Sequence, residues 1–161
     1  MPRIANIESG LYRIPLPVTL SDSTHGEIAA FELITCRIRD ADGAEGVGYT
    51  YTVGRNGGAT ADILKREIPP LVEGREADDT EAIWHHVWWG LHYGGRGGPP
   101  VLALSALDIA LWDLKARRAD LPLFRLLGGF DARVPCYAGG IDLDLSVEAL
   151  LKQTDDNLAK G

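Results

Sequence analysis

The sequence predicts an α+β chain: a three-stranded antiparallel sheet, then a helical bundle, then a single strand-helix unit. Three observations predict it. β-rich runs bounded by turn residues are confined to the first third of the chain. Apolar residues fall at helical spacing from residue 60 onward. A short strand-like run then precedes one more amphipathic stretch near the end.

Residues 4–16 alternate weakly, and Pro15 and Pro17 break any regular element, so one strand is expected there, followed by a loop to about Gly26. That loop holds Ser21, Asp22, Ser23, Thr24 and His25, small polar groups suited to an exposed segment. The run Phe31-Glu-Leu-Ile-Thr-Cys-Arg-Ile38 places a second strand over 27–40. Asp42-Gly43 is a hairpin signal leading to a third over 46–53. A helix is expected over 60–68, stopped by Pro69 and Pro70. Asp78 with Glu81 resembles a capping box, and Ile83, Trp84, Val87, Trp88 and Leu91 then lie on one helical stripe. The glycine-rich run 94–98 ends that helix. Pro99 and Pro100 suit the first turn of another, which runs to about Ala119 and is apolar nearly all round, as in the middle of a bundle. Residues 134–140 read as a strand, and Val147, Leu150, Leu151, Thr154 and Leu158 as the stripe of a helix that Gly161 stops. Strand and helix make half a βαβ unit whose returning strand is expected where the sequence stops.

With 161 residues, 45% of them hydrophobic, the chain is long enough to bury a core without a disulfide or metal staple. Its 16 Lys and Arg against 23 Asp and Glu give a net charge of −7, which argues against a nucleic-acid partner. The longest mostly apolar stretch, 101–114, is interrupted by Ser105, Asp108 and Asp113 and is too short to cross a bilayer, so no membrane partner is expected. Cys36 and Cys136 are expected to be free thiols. With no apolar leader after Met1, they point to the cytoplasm.

The residues by themselves reveal no reaction. Neither Gly46-Val-Gly48 nor the run 94–98 matches a dinucleotide fingerprint. The latter reads as a tight helix connection, with anion contact through Arg96 as the other reading. His85, His86 and His92 do not share a helix face. Glu81 with His85 makes two metal ligands at most, so no metal site is expected. His25, alone in a polar loop, is either plain surface or a substrate contact. Asp108 and Asp113, five apart, are expected to bond backbone or a cation.

The run Ala103-Leu-Ser-Ala-Leu-Asp-Ile-Ala-Leu-Trp-Asp-Leu-Lys-Ala116, with Leu121-Pro-Leu-Phe-Arg-Leu-Leu-Gly-Gly129 and Val134-Pro-Cys-Tyr137, closely resembles the enolase superfamily in its mandelate racemase/muconate lactonizing enzyme branch. Ile14-Pro-Leu16 and Gly43-Ala-Glu-Gly-Val-Gly-Tyr49 agree in order, and the acid-sugar dehydratases, such as the talarate/galactarate dehydratases, are similar. The resemblance implies an enolase-like capping (lid) domain over 1–131. It implies that 132–161 are the first strand and helix of a truncated (β/α) barrel. The family's Lys-x-Lys base, its Mg²⁺-binding carboxylates and its His-Asp pair then fall outside this chain. No catalytic residue is expected here, and the chain alone is expected to be inactive.

The resemblance further implies Mg²⁺ in the parent enzyme, a homo-oligomer, and two substrate-reading loops, at 18–27 and 49–58. His25, Thr24 and Tyr51 become the substrate-binding candidates, with Arg96 beside them. Their polar character points to a hydroxyl-rich sugar acid, whose α-proton is removed ahead of dehydration. Racemisation, epimerisation and cycloisomerisation through the same intermediate stay open, as does a stand-alone binding domain without catalysis.

Overall fold

The computed structural model describes residues 2–139 and 142–160. Its sheet is the expected meander in the order β1-β2-β3, all antiparallel, with β1 Ile4–Asp22, β2 Gly26–Asp40 and β3 Glu45–Thr52. Alternation decides which face is buried. Ile34, Cys36 and Ile38 of β2 are wholly buried on the inner face, while Val47, Tyr49 and Tyr51 of β3 point outward.

The loop expected over 17–26 is instead strand and a tight turn. β1 is an edge strand, so the N–H groups that Pro15 and Pro17 lack need not face a neighbour. The irregularity is absorbed between the pairs Pro15↔Ala30 and Leu20↔Ile28, after which the ladder resumes to Asp22↔Gly26.

Helix α1, Gly57–Asp62, starts earlier than expected and runs into a π-helical turn, Ile63–Glu67, where the Ile68 amide reaches the Ile63 carbonyl at 3.1 Å. Pro69 and Pro70 do not stop the helical path. They open a further short helix, α2 Pro69–Val72, because the widened turn before them relieves the clash a proline ring makes with the carbonyl four residues back. Helix α3, Thr80–Gly90, has Asp79 at its start with no side-chain cap, so the capping box of Asp78 and Glu81 does not form. The Asp78 carbonyl accepts from Lys115 Nζ at 3.0 Å, and its carboxylate lies 3.8 Å from Arg118; cations on the next helix hold it instead.

Helix α4, Pro99–Arg118, packs on the sheet rather than in the middle of a bundle. Ala103, Leu104, Ala106, Leu107, Ala110, Leu111 and Leu114 are buried, while Ser105 and Ile109 are exposed. Its approach to β3 depends on two glycines. A Cβ at Gly48 would stand 2.0 Å from the Ala106 carbonyl oxygen, and one at Gly46 would stand 2.2 Å from that of Ala110. Asp113 accepts the Val47 amide at 2.8 Å and bonds Arg117 at 2.8 Å, both of the roles expected of it. Asp40, its side chain wholly buried, accepts the amides of Asp42 and Ala44 and the Arg118 guanidinium, tying the β2–β3 turn to the end of α4.

Beyond α5, Leu123–Leu126, no residue is buried among those described. Of the strand expected over 134–140, Gly140 lies outside the described residues and 134–139 form no ladder, since no neighbouring strand offers backbone partners. Only an isolated parallel bridge, Ser21↔Asp142, forms nearby. The last helix, α6 Val147–Leu158, is as expected, with Ser146 accepting the Ala149 amide at its start and Val147, Leu151 and Leu158 exposed. Among the described residues no helix is long and apolar enough to cross a membrane.

Two predictions follow from this packing. Gly48→Ala forces its Cβ onto helix backbone and should destabilise the chain by about 3 kcal/mol, the upper end for overpacked cores. Gly58→Ala, which meets open space inside α1, should be neutral or stabilising by up to about 1 kcal/mol in the same urea titration. Burial raises the Cys36 thiol pKa to about 12, whereas Cys136 is exposed. Ellman's reagent at mildly alkaline pH should therefore titrate Cys136 alone in the native protein, and Cys36 only after denaturation.

Candidate functional site

Three loops converge at one end of the sheet. β1 and β3 run in the same direction, so the β1–β2 turn and the exit of β3 lie at the same end. Gly46 faces Ala110 and Leu114 while Gly48 faces Ala106 and Ala110, so α4 runs antiparallel to β3. Its first turn, with the glycine-rich run before it, therefore comes to that end as well.

At the β1–β2 turn a single carboxylate organises the backbone. Asp22 Oδ1 accepts the amides of Thr24 at 2.8 Å and His25 at 2.6 Å, and Oδ2 lies 2.8 Å from His25 Nδ1. The amide bond from His25 does most to hold the Asp22 carboxyl below the usual aspartate value, followed by the His25 ring. An ionised carboxylate only accepts, so Nδ1 carries the proton in this contact and Nε2 is left for another partner. Thr24 has its amide bound and its side chain exposed.

Tyr51 lies on the outer face of β3, opposite Leu33, its ring edge-on to Phe31 at 5.4 Å and 57% of the residue exposed. His25 and Tyr51 are not brought into contact. β3 ends at Thr52 opposite Glu32, and β2 from 26 to 31 pairs with β1 alone. The hairpin therefore overhangs the three-stranded part by about 20 Å at strand rise.

Arg96 stacks its guanidinium over Trp89 at 4.4 Å and Trp88 at 4.8 Å. The helix start behind it has no free amide for an anion: Pro99 and Pro100 carry none, and those of Val101 and Leu102 both bond the Gly98 carbonyl. His85 Nε2 accepts from Trp89 Nε1 at 3.0 Å, and His92 Nδ1 meets the Trp89 carbonyl at 2.7 Å. Asp108, its pKa raised by burial, lines a shallow cleft with Trp84, Trp112 and His85. Among the described residues no three His, Cys, Asp or Glu side chains gather to hold a metal ion.

One residue to which the sequence reading gave no weight stands where β3 leaves the sheet. Glu32 Oε2 accepts the Thr52 hydroxyl at 2.5 Å and the Gly57 amide at 3.2 Å. The signal was available as the lone acid of the β-rich run 31–38.

Residues 7–128 match the family described as mandelate racemase / muconate lactonizing enzyme, N-terminal domain. The chain belongs to that family. It is 54% identical over 158 residues to the 3,6-anhydro-alpha-L-galactonate cycloisomerase of Streptomyces coelicolor, an alignment covering 98% of this chain and 44% of that protein. A racemase from Streptomyces coelicolor A3(2), solved with bound magnesium, superposes with a TM-score of 0.94 at 54% identity over 97% of this chain and 44% of its own. The L-talarate/galactarate dehydratase of Salmonella typhimurium LT2, liganded with Mg and L-lyxarohydroxamate, gives 0.89 at 33% identity over 99% and 42%. The chain thus spans less than half the length of these relatives, all from the enolase-superfamily branch to which the sequence motifs point.

Because the Asp22 carboxyl is depressed in the folded turn, its contribution is present above the ordinary aspartate value of 3.8 and is lost as pH falls through the lower folded value. The amide resonances of Thr24 and His25 should therefore titrate together below about pH 4. In Asp22→Asn that acid transition should vanish.

Proposed function

We infer that this chain is the capping part of a magnesium-dependent enzyme that removes the proton α to the carboxylate of a sugar acid. On this reading 1–131 form the lid and 132–161 the first strand and helix of the catalytic barrel. The observation that carries the reading is the convergence of the β1–β2 hairpin, the exit of β3 and the start of α4 at one end of the sheet. A lid needs its substrate-reading groups on one rim, where closing over a barrel mouth excludes water and orients the substrate. The end of the family match at residue 128 and the exposed apolar side chains of α6 support the division into lid and barrel.

Tyr51 offers a phenol hydroxyl to a substrate hydroxyl, His25 the ring nitrogen that Asp22 leaves free, and Thr24 a hydroxyl beside it. Arg96, steadied on two indoles, brings a cationic group to the rim. The metal ligands and the proton-transfer groups lie outside this chain, so its residues bind, orient and exclude water without touching the reacting proton. The complete protein works in the cytoplasm as a homo-oligomer.

Among reactions that share α-proton removal, the 54% identity to a cycloisomerase favours ring isomerisation of an anhydro sugar acid. The dehydratase relatives, at 32–40% identity, make dehydration the second reading. Mass spectrometry separates them, because a cycloisomerase product has the mass of its substrate and a dehydratase product is lighter by one water.

In the complete enzyme, His25→Ala and Tyr51→Phe should each lower kcat/KM on the full-length sugar acid by about tenfold to a hundredfold, the cost of one hydrogen bond lost in a closed site. Exchange of the α-proton in a short hydroxy acid lacking the distal hydroxyls should barely change. Since the two side chains do not touch, the double variant should show the product of the single losses. Equal loss on long and short substrates would return both residues to a purely structural role.

A further inference from the structure

The inference here rests on residues 49–58 being a substrate-reading loop, and concerns what fixes that loop in place. β3 has no ladder partner beyond Thr52, which pairs with Glu32. The next four residues carry two left-handed positions, Gly54 at φ +83° and Asn56 at φ +68°. Glycine and asparagine are the residues that tolerate this region, and glycine is unrestrained there, so their backbone alone does not fix the path.

The tether is one carboxylate oxygen. Glu32 Oε2 takes the Thr52 hydroxyl at the last residue of β3 and the Gly57 amide at the first residue of α1, so both ends of the loop close on the same atom. Gly57 is itself buried against this group. A Cβ there would lie 2.5 Å from Glu32 Oε2, 2.8 Å from its Cδ and 3.1 Å from its Cβ, so a side chain at 57 displaces the carboxylate. The loop is then relayed into the helix, where the Asn56 carbonyl accepts both the amide and the hydroxyl of Thr60 at 3.0 Å. Thr52 points to the inner face of the sheet and Tyr51, its neighbour, to the outer face.

We propose that Glu32 is the positioning residue of the rim: it clamps the exit of β3 to the start of α1 and so sets where Tyr51 and residues 53–56 stand against a bound sugar acid, without touching that acid itself.

Amide hydrogen exchange on the whole chain reads the clamp directly. Glu32→Ala should speed exchange of the Gly57 amide and of 53–56 by about tenfold or more, leaving the Ile34, Cys36 and Ile38 amides as they were. Glu32→Gln keeps an acceptor oxygen in the same place and should stay within about threefold of the parent. Gly57→Ala should reproduce Glu32→Ala. Unchanged protection at Gly57 in Glu32→Ala overturns the clamp, and an equal rise across the β2 amides reduces Glu32 to general stability. Should Glu32→Ala fail to fold, Thr52→Val removes one arm alone, and unchanged protection over 53–56 in that variant overturns the clamp as well.

In the complete enzyme, Glu32→Ala should cost about tenfold in kcat/KM on a hydroxyl-bearing sugar acid and less than about threefold on a short hydroxy acid, with Glu32→Gln recovering most of the loss. Equal loss on both substrates overturns the positioning role. If the complete enzyme turns over no sugar acid, the reading of the loop as a substrate rim fails, while the exchange result still decides the clamp.

Discussion

The fold depends on how closely α4 lies against β3. Helix and strand can meet at backbone distance only where neither projects a side chain, and Gly46 and Gly48 on the strand meet small residues, Ala106 and Ala110, on the helix. Side chains on either surface would push the helix outward by a methyl group or more, and Leu107, Leu111 and Leu114 would lose the contacts that bury them completely. The same approach brings Asp113 within 2.8 Å of the Val47 amide, on the edge of the sheet that no strand covers. It also sets the direction of α4, and with it the end at which the glycine-rich run emerges. The position of the rim is thus a consequence of a packing constraint far from any substrate-facing group.

Periodicity made much of this legible in the sequence. The β-rich runs between turn residues and the long apolar run of α4 made the sheet order and the long helix readable; the buried face of β3 was not, because its apolar side chains point outward. Nor were elements whose geometry is set by a partner. Pro15 and Pro17 look like breakers in isolation. They are tolerated because β1 is an edge strand, and whether a strand lies at an edge is a property of the assembled sheet. Pro69 looks like a stop, yet a π-helical turn one step earlier lets the chain pass. Asp78 has the right spacing for a capping box, but Lys115 and Arg118, more than thirty residues away, compete for it and win. Residues 134–139 have strand composition and no strand beside them.

The candidate site divides in the same way. His25, Thr24 and Tyr51 were visible because polar and aromatic groups in loops stand out against a half-buried sheet, and the family motif indicated which loops to read. Their separation along the hairpin was not visible, because it depends on β3 stopping at Thr52 while β2 and β1 continue together. Glu32 was passed over because a single acid in a strand reads as a solvent-facing residue. Only the fold shows that it lies on the inner side, with two donors waiting for it.

Most of the carboxylates that matter here hold backbone or a fixed cation. Asp22 closes the hairpin turn, Glu32 the exit of β3, Asp40 the β2–β3 turn and Asp113 the open edge of β3, each by accepting at least one main-chain amide. Each of these bonds ties a carboxylate to main chain, whereas an exposed ion pair such as Lys152–Asp156 or Arg133–Asp131 is screened by solvent and contributes little. Three of the four close a turn or loop, so they act where the chain changes direction. A fold that uses its charges in this way offers a defined rim of loops. The strongest bonds at that rim therefore lie behind the surface a substrate would meet, and Tyr51 and His25 owe their positions to Glu32 and Asp22.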